Sequence, residues 1–144
     1  MRTLHTLVVT TEPIRLQLRP LLASQPDVRV LAEVGSLAEA RDALAMLSAD
    51  LVIFECNLGR EDGFELLPAV PLSSRVICLT GDTADTLRAL AYGSLECVPM
   101  PVMDRIFLAR LDSVRQGHAI DSYAPMEYAE MGYRSIHCSA SITT

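Results

Sequence analysis

The chain contains no tryptophan and no lysine, and its twelve basic residues are all arginine. Its longest apolar runs have only the length of a β-strand, so no segment is expected to span a membrane. The first five residues lead directly into one such run and lack the layout of a signal peptide, and we expect a cytoplasmic protein. The formal net charge of −6 argues against a nucleic-acid-binding surface, because such a surface needs a cluster of basic residues.

Cysteine and histidine follow no spacing typical of a metal or redox centre. None of the four cysteines forms a CxxC pair, and three of them lie in strand-like apolar runs, so we expect buried, reduced thiols. A redox pair between Cys78 and Cys97 is the alternative. The histidines are scattered, and no metal site is predicted. These residues are Cys56, Cys78, Cys97, Cys138, His5, His118 and His137.

Strand-like and helix-like patterns alternate along residues 1–117. Near-continuous apolar strands separated by helices predict a parallel sheet covered on both faces, hence a doubly wound, five-stranded α/β domain. The pattern is lost in residues 118–144, and we expect a flexible tail there. The predicted strands are 4–9, 28–34, 51–55, 75–79 and 95–98, and the predicted helices are 12–24, 37–48, 83–92 and 103–115, with a short one at 64–70.

Capping residues mark several of the predicted helix ends. Ser36 with Glu39 forms a capping box for the second helix, and Gly93 is expected to cap the end of the helix over 83–92. Pro20 lies within the first predicted helix, where it should cause a kink or an early end.

Four segments, in order, resemble the receiver domains of bacterial response regulators. An apolar strand followed by Thr10-Thr11-Glu12-Pro13 stands where the family has an acidic pair. Residues 50–67, with Glu55 after an apolar strand and Asp62-Gly63 in the next loop, match the phosphoacceptor segment. Thr80 matches the switch threonine or serine, and the strand at 95–98 with Met100-Pro101 matches the strand ending in Lys-Pro. The resemblance implies the flavodoxin-like receiver fold over about residues 4–115.

The positions that carry receiver chemistry differ from the family pattern. The resemblance implies an aspartate at Glu55, a Mg²⁺-binding acid pair at Thr10 and Thr11, and a lysine at Met100; only Thr80 keeps a family residue type. One carboxylate and neutral oxygens make a poor site for Mg²⁺, so we expect weak or no binding and no other cofactor. Glu12 follows the acid-pair positions by one residue and is expected to face solvent.

Glu55 has two interpretations. In one, its carboxylate hydrogen-bonds Thr10, Thr11 or Thr80 and holds the domain in one state. In the other, slightly favoured by the missing cation, it is a wetted and inert residue at the rim of the sheet.

The resemblance places a partner-binding face on the helix over 83–92, the strand over 95–98 and the helix over 103–115. Arg88, Tyr92 and Cys97 are its candidate residues, although Tyr92 could equally cover the edge of the sheet. We therefore predict a phosphorylation-independent pseudo-receiver that is not an enzyme and binds a protein partner or a second copy. The alternatives are a phosphoacceptor switched by a histidine kinase through a non-standard site, and a sensor that binds a small ligand or nucleotide at the carboxyl edge of the sheet.

Overall fold

The computed structural model describes residues 2–93 and 95–116, and the predicted tail at 118–144 lies outside them. The strands are β1 (Leu4–Val9), β2 (Val28–Val34), β3 (Leu51–Glu55), β4 (Asn57–Leu58), β5 (Glu61–Asp62), β6 (Arg75–Thr80) and β7 (Glu96–Pro99). The helices are α1 (Glu12–Ala23), α2 (Leu37–Met46), α3 (Thr83–Tyr92) and α4 (Asp104–Gln116), with a 3₁₀ helix over Gly63–Ala69. Among the residues described, no helix is both long enough and apolar enough to cross a membrane.

Five strands form the main sheet in the order β2-β1-β3-β6-β7. The β1–β2, β1–β3 and β6–β7 pairs are parallel, and helices alternate with the strands along the chain. This arrangement confirms the predicted five-stranded, doubly wound α/β sheet. The chain divides between Arg75 and Val76 into two compact units.

The first unit is built around β1, which lies between β2 and β3. The apolar side chains of β1 and β3 are almost completely buried, because both faces of these strands are covered. Phe54 of β3 packs edge-to-face on Phe64 of the 3₁₀ helix, with ring centroids 5.6 Å apart. This contact fixes the loop that follows β3 against the end of the strand.

Strand β2 departs from the predicted burial. Its residues are exposed or half-buried, whereas the apolar pattern predicted a strand covered on both faces. The reason is its position, since β2 is an edge strand paired only with β1 in the main sheet. A one-residue irregularity between Thr6 and Leu7 shifts the β1–β2 register.

Helix α1 continues past Pro20 to Ala23, so the proline does not end it early. The carbonyl of Pro20 accepts a hydrogen bond from the backbone N–H of Ser24 at 3.1 Å. The buried residues Leu18, Leu21 and Leu22 hold this part of the helix in the core. Tertiary packing therefore outweighs the local cost of the proline.

The second unit contains β6, α3, β7 and α4. Its core is formed by β6, β7 and the buried face of α4, where Phe107 and Leu111 are fully buried. Gly93 ends α3 with a φ of 87°, as its role as a C-cap predicted. At the other end of α3, the carboxylate of Asp82 accepts the N–H of Asp85 at 2.8 Å.

A small hairpin of β4 and β5 lies between β3 and the 3₁₀ helix and was not predicted. Its strands have two residues each, too few for a recognisable alternation of polar and apolar residues. Gly59 adopts a φ of 67° in the turn, which an L side chain rarely tolerates.

Candidate functional site

Glu55 lies at the carboxyl edge of β3, beside the end of β1, because Phe54 is in register with Val9. Its carboxylate oxygen Oε1 accepts two hydrogen bonds from Thr11, one from the backbone N–H at 2.6 Å and one from the hydroxyl at 2.9 Å. Thr11 is the N-cap residue of α1, so the negative charge also sits at the positive end of a helix. The carboxylate is therefore anchored between β3 and α1.

This geometry overturns the expectation of a wetted residue at the sheet rim. Glu55 is only 5% exposed. Burial without a partner would cost several kcal/mol for a charged group, and the two bonds from Thr11 offset that cost. Of the three threonines expected to contact Glu55, Thr11 is a hydrogen-bond partner.

Thr10 is fully buried, and its hydroxyl has no hydrogen-bond partner among the described residues. Its carbonyl oxygen instead accepts a hydrogen bond from Nη2 of Arg15 at 2.9 Å. Sequence reasoning missed Arg15, although its position in the first turn of a helix that follows a strand is a usable signal. The guanidinium covers the backbone at the end of β1, close to Gly35.

The loop after Glu55 depends on a close approach of two backbone segments. The N–H of Gly63 donates to the carbonyl of Cys56 at 2.8 Å. A Cβ added to Gly63 would overlap the carbonyl oxygen of Glu55 and lie 3.0 Å from the ring of Phe54. The carboxylate of Asp62 accepts the N–H of Phe64 at 3.1 Å and caps the 3₁₀ helix.

The residues at this edge do not fit Mg²⁺. The ion requires several oxygen ligands in nearly octahedral geometry, most often including carboxylates. Glu55 is the one carboxylate at the family positions, and its Oε1 is occupied by Thr11. Glu12 is exposed, as expected, and within the part of the chain described no three histidine, cysteine, aspartate or glutamate side chains could hold a metal together.

Thr80 and Met100 belong to the second unit. The hydroxyl of Thr80 is hydrogen-bonded to the hydroxyl of Thr86 on α3 at 3.1 Å. Its carbonyl accepts the N–H of Met100 at 2.8 Å, which places Met100 directly after β7. Met100 is half-buried and carries no charge to offer an anion. Sequence reasoning also missed Thr86, although its place near the start of α3 is a usable signal.

The three candidate interaction residues differ in exposure. Arg88 and Tyr92 are exposed on α3, and Tyr92 exposes 47% of its surface. Cys97, in contrast, is buried at 4% and lies in the wall of a pocket beside α4.

The cysteines are not all reduced. Cys56 and Cys78 are buried and form no disulfide, which excludes a pair between Cys78 and Cys97. Cys97 is disulfide-bonded, so the expectation of a reduced thiol is wrong at this position.

Comparison with known proteins identifies the class. No protein-family profile matches the chain. The regulatory protein VirG of Rhizobium rhizogenes is 33% identical over 87 residues, covering 55% of this chain and 36% of that protein. A protein-glutamate methylesterase/protein-glutamine glutaminase of Agrobacterium fabrum is 32% identical over 108 residues, covering 67% of this chain and 30% of the enzyme. The response regulator domain of Thermotoga maritima CheB has a TM-score of 0.65 at 23% identity, covering 80% of this chain and 96% of that domain.

The fold and these matches define a response-regulator receiver domain, the class of domain that serves two-component signal transduction. The chain spans about a third of the length of the curated relatives it matches. Receiver domains are generally non-enzymatic, and the match to the methylesterase covers only the receiver part of that enzyme.

Proposed function

We propose that this chain is a pseudo-receiver, which acts as a protein-interaction module without being switched by phosphorylation. The observation that carries the proposal is the pair of hydrogen bonds between Thr11 and the Glu55 carboxylate. A phosphoacceptor must offer a carboxylate oxygen to the incoming phosphoryl group, and the Oε1 atom of Glu55 is committed to the start of α1.

The surrounding charges support the same proposal. Phosphoryl transfer relies on cations to neutralise charge that develops on the phosphate oxygens. The positions that supply those cations in the family are here Met100 and the threonines that replace the acid pair, and the chain has no lysine. The chain would then have no catalytic residue, no bound cofactor and no enzymatic activity of its own.

The proposed interaction face lies on α3, β7 and α4. Arg88, Tyr92 and the 50%-exposed Leu87 give α3 an exposed surface that mixes apolar, aromatic and arginine side chains. Aromatic residues and arginine are enriched in protein interfaces. We assign this face to a protein partner or to a second copy of the chain, and we assign the receiver domain to residues 1–117.

Phosphoryl labelling tests the proposal. The purified chain is incubated with acetyl phosphate and Mg²⁺ and examined by intact mass spectrometry. We expect no gain of a phosphoryl group. The control is a variant that combines Thr10→Asp, Thr11→Asp, Glu55→Asp and Met100→Lys, and it should be labelled if the missing side chains are the cause.

Labelling of the unmodified chain would overturn the proposal. Peptide mapping would then distinguish phosphorylation of Glu55 from phosphorylation of another residue. The second result would support the alternative of a non-standard phosphoacceptor.

A further inference from the structure

A pocket of about 440 Å³ opens beside α4, within the second unit. Its apolar lining comes from Ile106 and Ala109 of α4 and from Cys97 and Pro99 of β7. Thr80 and Thr86 also line it, but their hydroxyls are hydrogen-bonded to each other. The pocket therefore offers mainly apolar surface, at a volume sufficient for an aromatic side chain and its neighbours.

Two arginines line the pocket, and they differ in their partners. Arg110 donates from Nε to the carbonyl of Cys97 at 3.0 Å and lies 4.0 Å from the carboxylate of Glu96. Arg105 is exposed at the pocket, and no carboxylate among the described residues pairs with it. An occupant that fits both features is an apolar side chain flanked by carboxylates.

The chain itself supplies such a sequence directly after α4. Residues 121–133 contain three carboxylates, five large aromatic or methionine side chains and no basic residue. The three carboxylates are Asp121, Glu127 and Glu130, and the apolar side chains are Tyr123, Met126, Tyr128, Met131 and Tyr133.

The length of chain is sufficient for a return to the pocket. Helix α4 ends at Gln116, about 9 Å along its axis from Arg110 at the usual rise per residue. Tyr128 follows Gln116 by twelve residues, which span up to about 40 Å when extended. A tether this short gives the segment an effective concentration on the order of millimolar at the pocket. A separate partner of the same chemistry would have to compete with it.

We propose that the acidic, tyrosine-rich segment 121–133 docks into the pocket between β7 and α4 of its own chain. An aromatic or methionine side chain fills the apolar lining, and a neighbouring carboxylate pairs with Arg105. The proposal goes beyond the proposed function, because it concerns what covers this pocket whether or not the domain is phosphorylated.

Single tryptophans test the docking, because the chain has none of its own. Full-length variants Tyr123→Trp, Tyr128→Trp and Tyr133→Trp are compared, under reducing conditions, with peptides of residues 117–144 that carry the same substitutions. We expect at least one full-length variant to show blue-shifted emission and an acrylamide quenching constant at least about two-fold below that of its peptide. Phosphoryl labelling is measured separately, so failure of one proposal does not imply failure of the other.

A matched pair of helix substitutions locates the contact. Ala109→Glu places a carboxylate in the pocket and should raise the quenching constant to that of the peptide. Ala38→Glu introduces the same change at an exposed position of α2 and should leave it unchanged. Arg105→Glu should also release the segment, without adding bulk to the apolar lining.

Three results would overturn the proposal. One is quenching in all three full-length variants as strong as in the peptides, and another is an equal effect of Ala109→Glu and Ala38→Glu. The third is protection that grows with protein concentration, which would show that the occupant comes from a second copy.

Discussion

Side-chain length explains how Glu55 is held at the residue scale. The extra methylene of glutamate carries the carboxylate to Thr11, where it accepts the backbone N–H at 2.6 Å and the hydroxyl at 2.9 Å. A direct contact between strand and helix thus stands where the family resemblance implies carboxylates joined by a metal ion. The anchored carboxylate is therefore expected to stabilise the local structure.

Replacement of Glu55 by glutamine should reveal this stabilising role. Glu55→Gln keeps the shape and one accepting oxygen but removes the charge, and hydrogen bonds to charged groups are worth about 1.5–3 kcal/mol. We expect the free energy of unfolding to fall by about 1–2 kcal/mol in urea denaturation. The exposed control Glu65→Gln should change it by less than about 0.5 kcal/mol. Equal effects of the two substitutions would show that Glu55 is not anchored.

Gly63 should tolerate no side chain, because its Cα faces the carbonyl oxygen of Glu55. Gly63→Ala forces the backbone of the loop away from β3, and we expect a loss of about 2 kcal/mol or more. Gly59→Ala is the matched control, since a Cβ there meets nothing within 4 Å and only its φ of 67° opposes alanine. That strain alone costs about 1 kcal/mol. Thermal unfolding of both variants would contradict this account if Gly59→Ala were the more damaging.

At the scale of elements, α2 shows how separate parts of the chain fix one helix start. Ser36 accepts the N–H of Glu39 at 3.1 Å, and the carboxylate of Glu39 accepts the N–H of Gly35 at 3.0 Å. The predicted capping box is therefore present, with its second bond shifted one residue towards the N-terminus. Glu61 of the unpredicted hairpin adds a third bond, from the N–H of Leu37 at 2.9 Å.

Removing the cap of α2 should have a measurable cost. Ser36→Ala leaves one N–H of the first turn without its acceptor, and such substitutions cost about 1 kcal/mol. We expect that loss in the free energy of unfolding, measured by urea denaturation, because Glu61 and Glu39 satisfy different N–H groups. Ser73→Ala, in an exposed loop, is the control and should be nearly neutral. A neutral Ser36→Ala would indicate that the remaining carboxylates compensate fully.

An element was easier to predict from the sequence when more of its residues carried a hydrophobic pattern. Strands β1 and β3 have long apolar runs, and their predicted bounds are those observed. The β4–β5 hairpin has two-residue strands and gave no periodic signal. The exposure of β2 could not be predicted from the sequence either. It depends on the order of strands in the sheet, which is set by pairing between distant segments and not by the local pattern.

At the scale of the whole molecule, we expect the folded state to lose stability in acid. The reason is that carboxylates in ion pairs join separate elements of the chain. The pKa of Asp50 is lowered because the backbone N–H of His5 donates to its carboxylate, with further help from the His5 ring and Arg2. The pKa of Glu33 is lowered mainly by its hydrogen bonds with Arg19. Both carboxylates bind fewer protons in the folded state than in the unfolded state at moderately acidic pH.

We therefore predict how the free energy of unfolding changes as the pH falls. Groups with a depressed folded pKa stabilise the protein above their unfolded pKa of about 4, and this contribution is lost as pH falls through the folded value. Unfolding measured between about pH 6 and pH 3 should therefore show falling stability, and Asp50→Asn should flatten that fall. Asp42→Asn, on the exposed face of α2, should not. Parallel curves for the two variants would exclude Asp50 as a source of the acid sensitivity.

The candidate site was only partly predictable from the sequence. Glu55, Thr10 and Thr11 were placed at one sheet edge by the order of the segments, and their register confirms that position. The choice of Thr11 as the partner of Glu55, and the cover of Thr10 by Arg15, depend on side-chain rotamers and helix orientation. Those details arise from tertiary packing, which a linear pattern does not encode.

The bond between Glu55 and Thr11 also has a consequence for substitutions at these two positions. Shortening Glu55 to aspartate withdraws the carboxylate from Thr11 while no acidic neighbour is present to bind a metal. Introducing an acid at Thr11 instead places two negative charges side by side. We therefore expect each of these single substitutions to destabilise the domain. Replacing the bond by the residues that the family resemblance implies would then require several substitutions made together.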